Sequence, residues 1–169
     1  MQPLLLQCER FRVVRAKQVN ESGEERTREI IQHPGAVVLL PMVDDDHVCL
    51  IHNYRVSVGR TLLEVPAGTL EVGEDLEVAA RRELIEETGY APGKLEKLGA
   101  FYPSPGIMDE RMHLYLATDL VAGKSAREAG EWIENHVVSW SEAMQLIKDS
   151  QIEDAKTIVA LLLYDKLRR

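Results

Sequence analysis

The sequence predicts an α/β fold, a mixed sheet covered by helices, and three observations carry that expectation. Short apolar, β-rich runs recur between residues 36 and 117, a helix-forming stretch interrupts them at 75–88, and two further helical stretches close the chain from Ser139 onward. Helices placed between and after strands pack on the faces of a sheet, so an α/β/α sandwich is expected in preference to a helix bundle.

In chain order, residues 4–33 alternate apolar and polar side chains around Asn20-Glu21-Ser22-Gly23. Such alternation about a turn predicts antiparallel strands joined by an exposed hairpin. We therefore divide the chain into an N-terminal strand module, 1–33, and a core domain, 34–169. Residues 36–43 and 48–54 are rich in Val, Leu and Ile and flank Asp44-Asp45-Asp46, which predicts a second hairpin. That acidic triplet lacks the Gly and distal Glu of a calcium loop and reads as a solvated turn. Extended segments are expected at 62–65, 95–101 and 112–117. Ser139-Trp140-Ser141-Glu142 has capping-box spacing and should open a helix running to about Lys148. A last helix is expected over 154–166, with Ile158, Leu161, Leu162 and Leu163 available for an apolar face. Between these elements, 123–131 (GKSAREAGE) is small, charged and without large apolar residues, the composition of a mobile loop.

Composition narrows the possible functions. A chain of 169 residues suits one ordinary domain, and its net charge of -8 argues against nonspecific binding to nucleic acid or to an anionic membrane. Cys8 and Cys49 are isolated, with neither Cys-x-x-Cys nor His/Cys spacing. A disulfide framework and a zinc site are therefore not expected, and a reducing compartment fits. The opening MQPLLLQC lacks the basic start and long apolar run of a signal segment, and no stretch reaches transmembrane length. A cytoplasmic protein is expected.

The chemistry concentrates in GTLEVGEDLEVAARRELIEETGY, residues 68–90. Leu76, Ala80 and Leu84 recur every fourth position on one helical face, Asp75 can cap the start, and Gly89 suits a left-handed C-terminal cap. Glu83 and Glu87 then fall one turn apart with Glu86 beside them. Like charges at this spacing repel, and carboxylates in a last turn oppose the partial negative charge of the helix C-terminus. A positive partner is required. Arg81 and Arg82 can offset part of the charge, but a hard divalent cation suits clustered carboxylates better. The bland alternative is a solvated acidic face, with Arg82 and Glu86 paired along the helix.

The spacing decides between these readings. The segment has Gly, five residues, Glu, seven residues, Arg-Glu, an aliphatic, any residue, Glu-Glu, any residue, Gly and a final aromatic, without a gap. It resembles the Nudix box at every fixed position, and the chain therefore resembles the Nudix hydrolases. That resemblance implies a Nudix-like α/β/α sandwich with a mixed central sheet. It also implies hydrolysis of a nucleoside diphosphate linked to another group, with Mg2+ as cofactor and Mn2+ as a substitute. Glu83 and Glu87 would be direct metal ligands and Glu86 a third ligand or the holder of a water on the metal, with the Ala67 carbonyl joining them. Arg82 and Glu74 would orient the neighbouring carboxylates. A carboxylate committed to metal is a poor proton acceptor, so a separate general base is sought. By likeness to the ADP-ribose branch it comes from the 123–131 loop, with Glu131 the first choice, Glu128 the second, and Glu86 the fallback.

Downstream, Phe101-Tyr102-Pro103-Ser104-Pro105-Gly106-Ile107-Met108-Asp109-Glu110 is similar to the Ser-Pro-Gly segment of bacterial ADP-ribose pyrophosphatases. Pro and Gly alone support only a turn. The likeness extends upstream through Asn53-Tyr54-Arg55 and Glu64-Val65-Pro66-Ala67-Gly68, with Asn53 departing from the Gln common in that branch. It implies that Arg55 pairs with phosphate, that Glu110 binds ribose hydroxyls or a metal water, and that Ser104, Pro105 and Gly106 border the substrate. It further implies a homodimer in which the N-terminal strands carry Arg26, Arg28 and Glu29 to the partner's adenosine site. The expected reaction is cleavage of ADP-ribose to AMP and ribose 5-phosphate. A different ADP- or GDP-sugar, or a non-catalytic nucleotide-sugar sensor, are the alternatives. Sensors of this kind lose box carboxylates, and this box retains them all.

Overall fold

The computed structural model describes residues 3–125 and 132–168. The chain opens with β1 (Leu4–Gln7), β2 (Arg12–Val19) and β3 (Glu25–Gln32), followed by β4 (Ala36–Pro41), β5 (His47–Arg55), β6 (Arg60–Glu64) and β7 (Ala67–Thr69). After α1 (Leu76–Thr88) come β8 (Tyr90–Phe101), β9 (Met112–Ala122) and β10 (Ile133–Ser139), then α2 (Trp140–Lys148) and α3 (Ala155–Arg168).

The first three strands form an antiparallel sheet of their own, as the alternation predicts. Asn20 closes its hairpin by accepting the N–H groups of Ser22 and Glu24 at 3.1 and 2.8 Å. The module is tied to the core at one end. Ile31 N–H donates to the Ile107 carbonyl at 2.8 Å and Asp109 N–H donates to the Ile31 carbonyl at 3.1 Å, so the Ser-Pro-Gly segment hangs on the end of β3.

A mixed four-stranded sheet, ordered β7-β4-β9-β8, forms the centre, with β4 and β9 parallel and the other pairs antiparallel. Beside it stands a second antiparallel sheet, β10-β5-β6. Strand β4 is buried on both faces, and period-2 alternation sorts its side chains. Val37 and Leu39 meet Ala79, Ala80 and Leu84 of α1, whereas Val38 and Leu40 join Leu50, Trp140, Ala160 and Leu161 on the α2 and α3 side. The three layers follow from that division. Each fully buried Leu or Val here contributes about 1.5–3 kcal/mol.

Several elements differ from expectation. Strand β8 starts at Tyr90, five residues before the expected 95, although Pro92 and Gly93 argue against a strand there. It is an edge strand, where a missing N–H is tolerated. Gly93 is needed because a Cβ on it would lie 2.7 Å from Cβ of Asp119 on the neighbouring strand. The short β7 and the whole of β10 were not foreseen. Ile133-Glu134-Asn135-His136-Val137-Val138-Ser139 lacks clean alternation, and its pairing along all of β5 from Ile133↔Asn53 to Ser139↔His47 is a nonlocal choice. The acidic turn behaves as read: Asp44 Oδ1 accepts the N–H groups of Asp46 and His47 at 2.8 Å each.

Candidate active site

Helix α1 is fixed at both ends by the residues its sequence suggests. The Asp75 carboxylate accepts the N–H groups of Glu77 and Val78, and Gly89 ends the helix at φ 79 with its N–H bonded to the Ile85 carbonyl at 2.9 Å. With Ala80 and Leu84 fully buried against the sheet, helical phase carries Arg82, Glu83, Glu86 and Glu87 to the wall of a cleft of about 1400 Å³.

One guanidinium organises this acidic face. Arg82 donates to both oxygens of Glu74 at 2.9 and 3.0 Å, to Glu83 at 2.7 Å and to Glu86 at 3.0 Å. The Arg82–Glu86 pair along the helix is thus present, and the same guanidinium also bonds the carboxylates of Glu74 and Glu83. Hydrogen bonding to Glu74 comes first among the causes that raise the Arg82 guanidinium above its ordinary value, and the same bond lowers the Glu74 carboxyl. Arg81, expected to share the task, instead donates to the Pro92 carbonyl at 2.8 Å.

Strand β7 supplies the opposing surface. The Glu87 carboxylate, 5 % exposed, accepts the Ala67 N–H at 3.0 Å. Glu83 packs directly over Gly68: a Cβ on that glycine would lie 1.8 Å from the Glu83 carboxyl carbon and 2.1 Å from each oxygen. Only the smallest residue allows this approach.

The oxygen donors of Glu83, Glu86 and Glu87, lining one cleft, fit a hard divalent cation by their chemistry. Among the described residues no three His, Cys, Asp or Glu side chains form a ready-made metal cluster. A divalent cation, when bound there, would neutralise charge on a phosphoryl group.

Of the other expected residues, Arg55 and Glu110 line the same cleft. Ser104, Pro105 and Gly106 form the expected turn, in which the Ser104 carbonyl accepts the N–H groups of Ile107 and Met108 at 3.1 Å, but they do not line the cleft. Arg26, Arg28 and Glu29 are exposed on β3, bonded within their own sheet to Glu24, Gln18 and Arg15, and do not reach this chain's cleft. Glu128 and Glu131 lie outside the described residues.

Sequence reasoning missed a buried ionic group on the far wall. Glu64, 1 % exposed, accepts two hydrogen bonds from Arg55, from Nε at 2.8 Å and from Nη2 at 2.6 Å, and is contacted directly by Lys156 Nζ. Lys156, itself 6 % exposed, also donates to Asp154 at 3.0 Å. Burial pushes the Glu64 carboxyl up, but Arg55 and Lys156 outweigh it and hold it below its ordinary value. The bond to Glu64 correspondingly raises Arg55. One signal was available: a Lys in the first turn of a helix opposes the helix dipole, which calls for an anion nearby.

Comparison with known proteins shows the family. The NUDIX domain profile matches residues 32–161. The chain is 42% identical over 142 residues to an ADP-ribose pyrophosphatase of Bacillus subtilis (strain 168), covering 83% of this chain and 77% of that protein. It is 39% identical over 142 residues to a methanol dehydrogenase activator of Bacillus methanolicus, with the same coverage of 83% and 77%. A solved structure described as an ADP compounds hydrolase superposes with a TM-score of 0.84 at 26% identity, covering 96% of this chain and 89% of that one. With the box, its cleft and these relatives in agreement, the chain belongs to the NUDIX family.

Proposed function

We propose that this NUDIX pyrophosphohydrolase cleaves ADP-ribose, with one water, to AMP and ribose 5-phosphate. The observation that carries the reading is the meeting of Glu83, Glu86 and Glu87 with Arg55 in one cleft, two walls with opposite tasks toward a pyrophosphate. A cation-binding carboxylate face and a fixed guanidinium are the electrostatic parts that phosphoryl transfer needs. The likeness to ADP-ribose pyrophosphatases supports the choice of sugar nucleotide.

The finer assignments belong to the same proposal. Mg2+ is held by Glu83, Glu86, Glu87 and the Ala67 carbonyl, with Mn2+ as a substitute. Glu131, or else Glu128, accepts the proton of the attacking water. Residues 1–33 act as a separate module that pairs two chains into a homodimer, bringing Arg26, Arg28 and Glu29 to the partner's adenosine. Their exposure on β3 leaves them available for that contact. The substrate-facing side of the cleft also includes Glu110, and Ser104, Pro105 and Gly106 flank it. A cytoplasmic location accords with two free cysteines. No nucleic acid or membrane partner is assigned, and no helix among the described residues is long and apolar enough to cross a membrane.

The test is incubation with magnesium and a panel containing ADP-ribose, other ADP-sugars, GDP-mannose and nucleoside triphosphates, with products separated by chromatography. AMP and ribose 5-phosphate in equal amounts, formed fastest from ADP-ribose, are expected. No cleavage of any diphosphate sugar would reject the proposal, and preference for another sugar would replace the substrate.

A further inference from the structure

Helix α3 reaches the cleft through its first turn. Asp154, Lys156, Glu64 and Arg55 form one unbroken chain of ion pairs, and all four line the cleft. The same turn grips the backbone before β7: Thr157 Oγ1 accepts the Val65 N–H at 2.8 Å and donates to Asp154 Oδ2 at 2.5 Å.

Burying such a chain costs more desolvation than well-packed apolar side chains would, so stability alone is a weak reason for it. Its geometry supplies a better one. The Nε and Nη2 atoms of Arg55 are committed to Glu64, and Nη1 has no protein partner among the described residues. A guanidinium held along one edge has already lost its rotational freedom, so its other edge binds an anion at lower entropic cost. Charge matters as well. Lys156 shares the Glu64 carboxylate, so Arg55 is not its sole counterion; Asp154 in turn pairs with Lys156, and Arg55 is the cationic end of a chain of alternating sign.

We propose that Glu64 and Lys156 are positioning residues, which hold Arg55 with its Nη1 edge presented to the pyrophosphate oxygens. The proposal rests on a pyrophosphate as the ligand of this cleft, but not on which sugar is attached.

The experiment measures binding of inorganic pyrophosphate with magnesium by calorimetry, together with ADP-ribose kinetics and melting temperature. It compares wild type with Arg55→Lys, Glu64→Gln, Lys156→Met, Lys156→Arg and the Arg55→Lys/Glu64→Gln double variant. Glu64→Gln and Lys156→Met are expected to weaken pyrophosphate binding and raise KM about tenfold or more, the scale of a lost charged hydrogen bond. Half-saturating magnesium should stay unchanged, and Lys156→Arg should recover most of the binding. The double variant should lose less than the product of the single losses, because both act through Arg55. Variants that melt earlier yet bind pyrophosphate as wild type does, or losses that multiply in full, would overturn the proposal. If Lys156→Met does not fold, Glu64→Gln and Lys156→Arg decide by the same criteria. A wild-type protein that binds pyrophosphate through these residues but cleaves no diphosphate sugar would reject the proposed function and leave this inference standing. A wild type that does not bind pyrophosphate would overturn the inference itself.

Discussion

Replacing Gly68 by Ala tests the site through its tightest contact. The added Cβ would sit 1.8 Å from the Glu83 carboxyl carbon, against an ordinary contact of about 3.4 Å or more, so Glu83 must retreat by about 1.6 Å. The carboxylate is the end of a flexible side chain and can move, but in moving it leaves the position set by Arg82 at 2.7 Å. Gly68 is not in the left-handed region, so the backbone itself is not strained by the change. The fold should therefore survive. A misplacement of about 1 Å at a catalytic group costs on the order of a hundredfold in rate, or about 2.7 kcal/mol of transition-state stabilisation. Gly99→Ala is the control, since a Cβ there meets only Leu163 at an ordinary 3.7 Å. Turnover of ADP-ribose at saturating magnesium, with a melting curve for each protein, reads the result. A Gly68→Ala protein within about threefold of wild type would refute the reasoning that Glu83 must lie where it does.

Four other expectations follow from the same site. Glu87→Gln keeps an acceptor for the Ala67 N–H, so it should fold normally but lose turnover by about two orders of magnitude or more, and need more magnesium, in a titration of rate against metal. Of Glu131→Gln and Glu128→Gln, the one that removes the base should bind ADP-ribose and metal as wild type does, yet lose about a hundred- to ten-thousandfold in kcat; wild-type turnover in both would shift the role to Glu86. Deleting residues before Gln32 should abolish dimerisation by sedimentation and weaken substrate affinity together, whereas a monomeric full-length chain with tight binding would contradict the shared site. Finally, the Glu64 carboxyl lies below its ordinary 4.5 in the folded protein, so its pairing stabilises the fold fully above that value and is lost as pH falls through the lowered one. Melting temperature against pH should fall less steeply across that acid window in Glu64→Gln than in wild type.

The parts of this protein that were legible in its sequence are local ones. Helix α1, its Asp75 and Gly89 caps, the β2–β3 hairpin and the Ser139 cap depend on contacts a few residues apart, which periodicity and capping chemistry express directly. The box carboxylates were legible for the same reason, since their spacing on one helical turn is itself the signal. What only the tertiary structure decided is nonlocal. The parallel pairing of β4 with β9, the addition of β10 to β5, and the seating of Glu83 over Gly68 join residues whose types do not name each other. The clearest case is Lys156 and Glu64, 92 positions apart. Neither occupies a periodic position that calls for the other, and their burial becomes affordable only after α3 has packed and each has become the other's counterion.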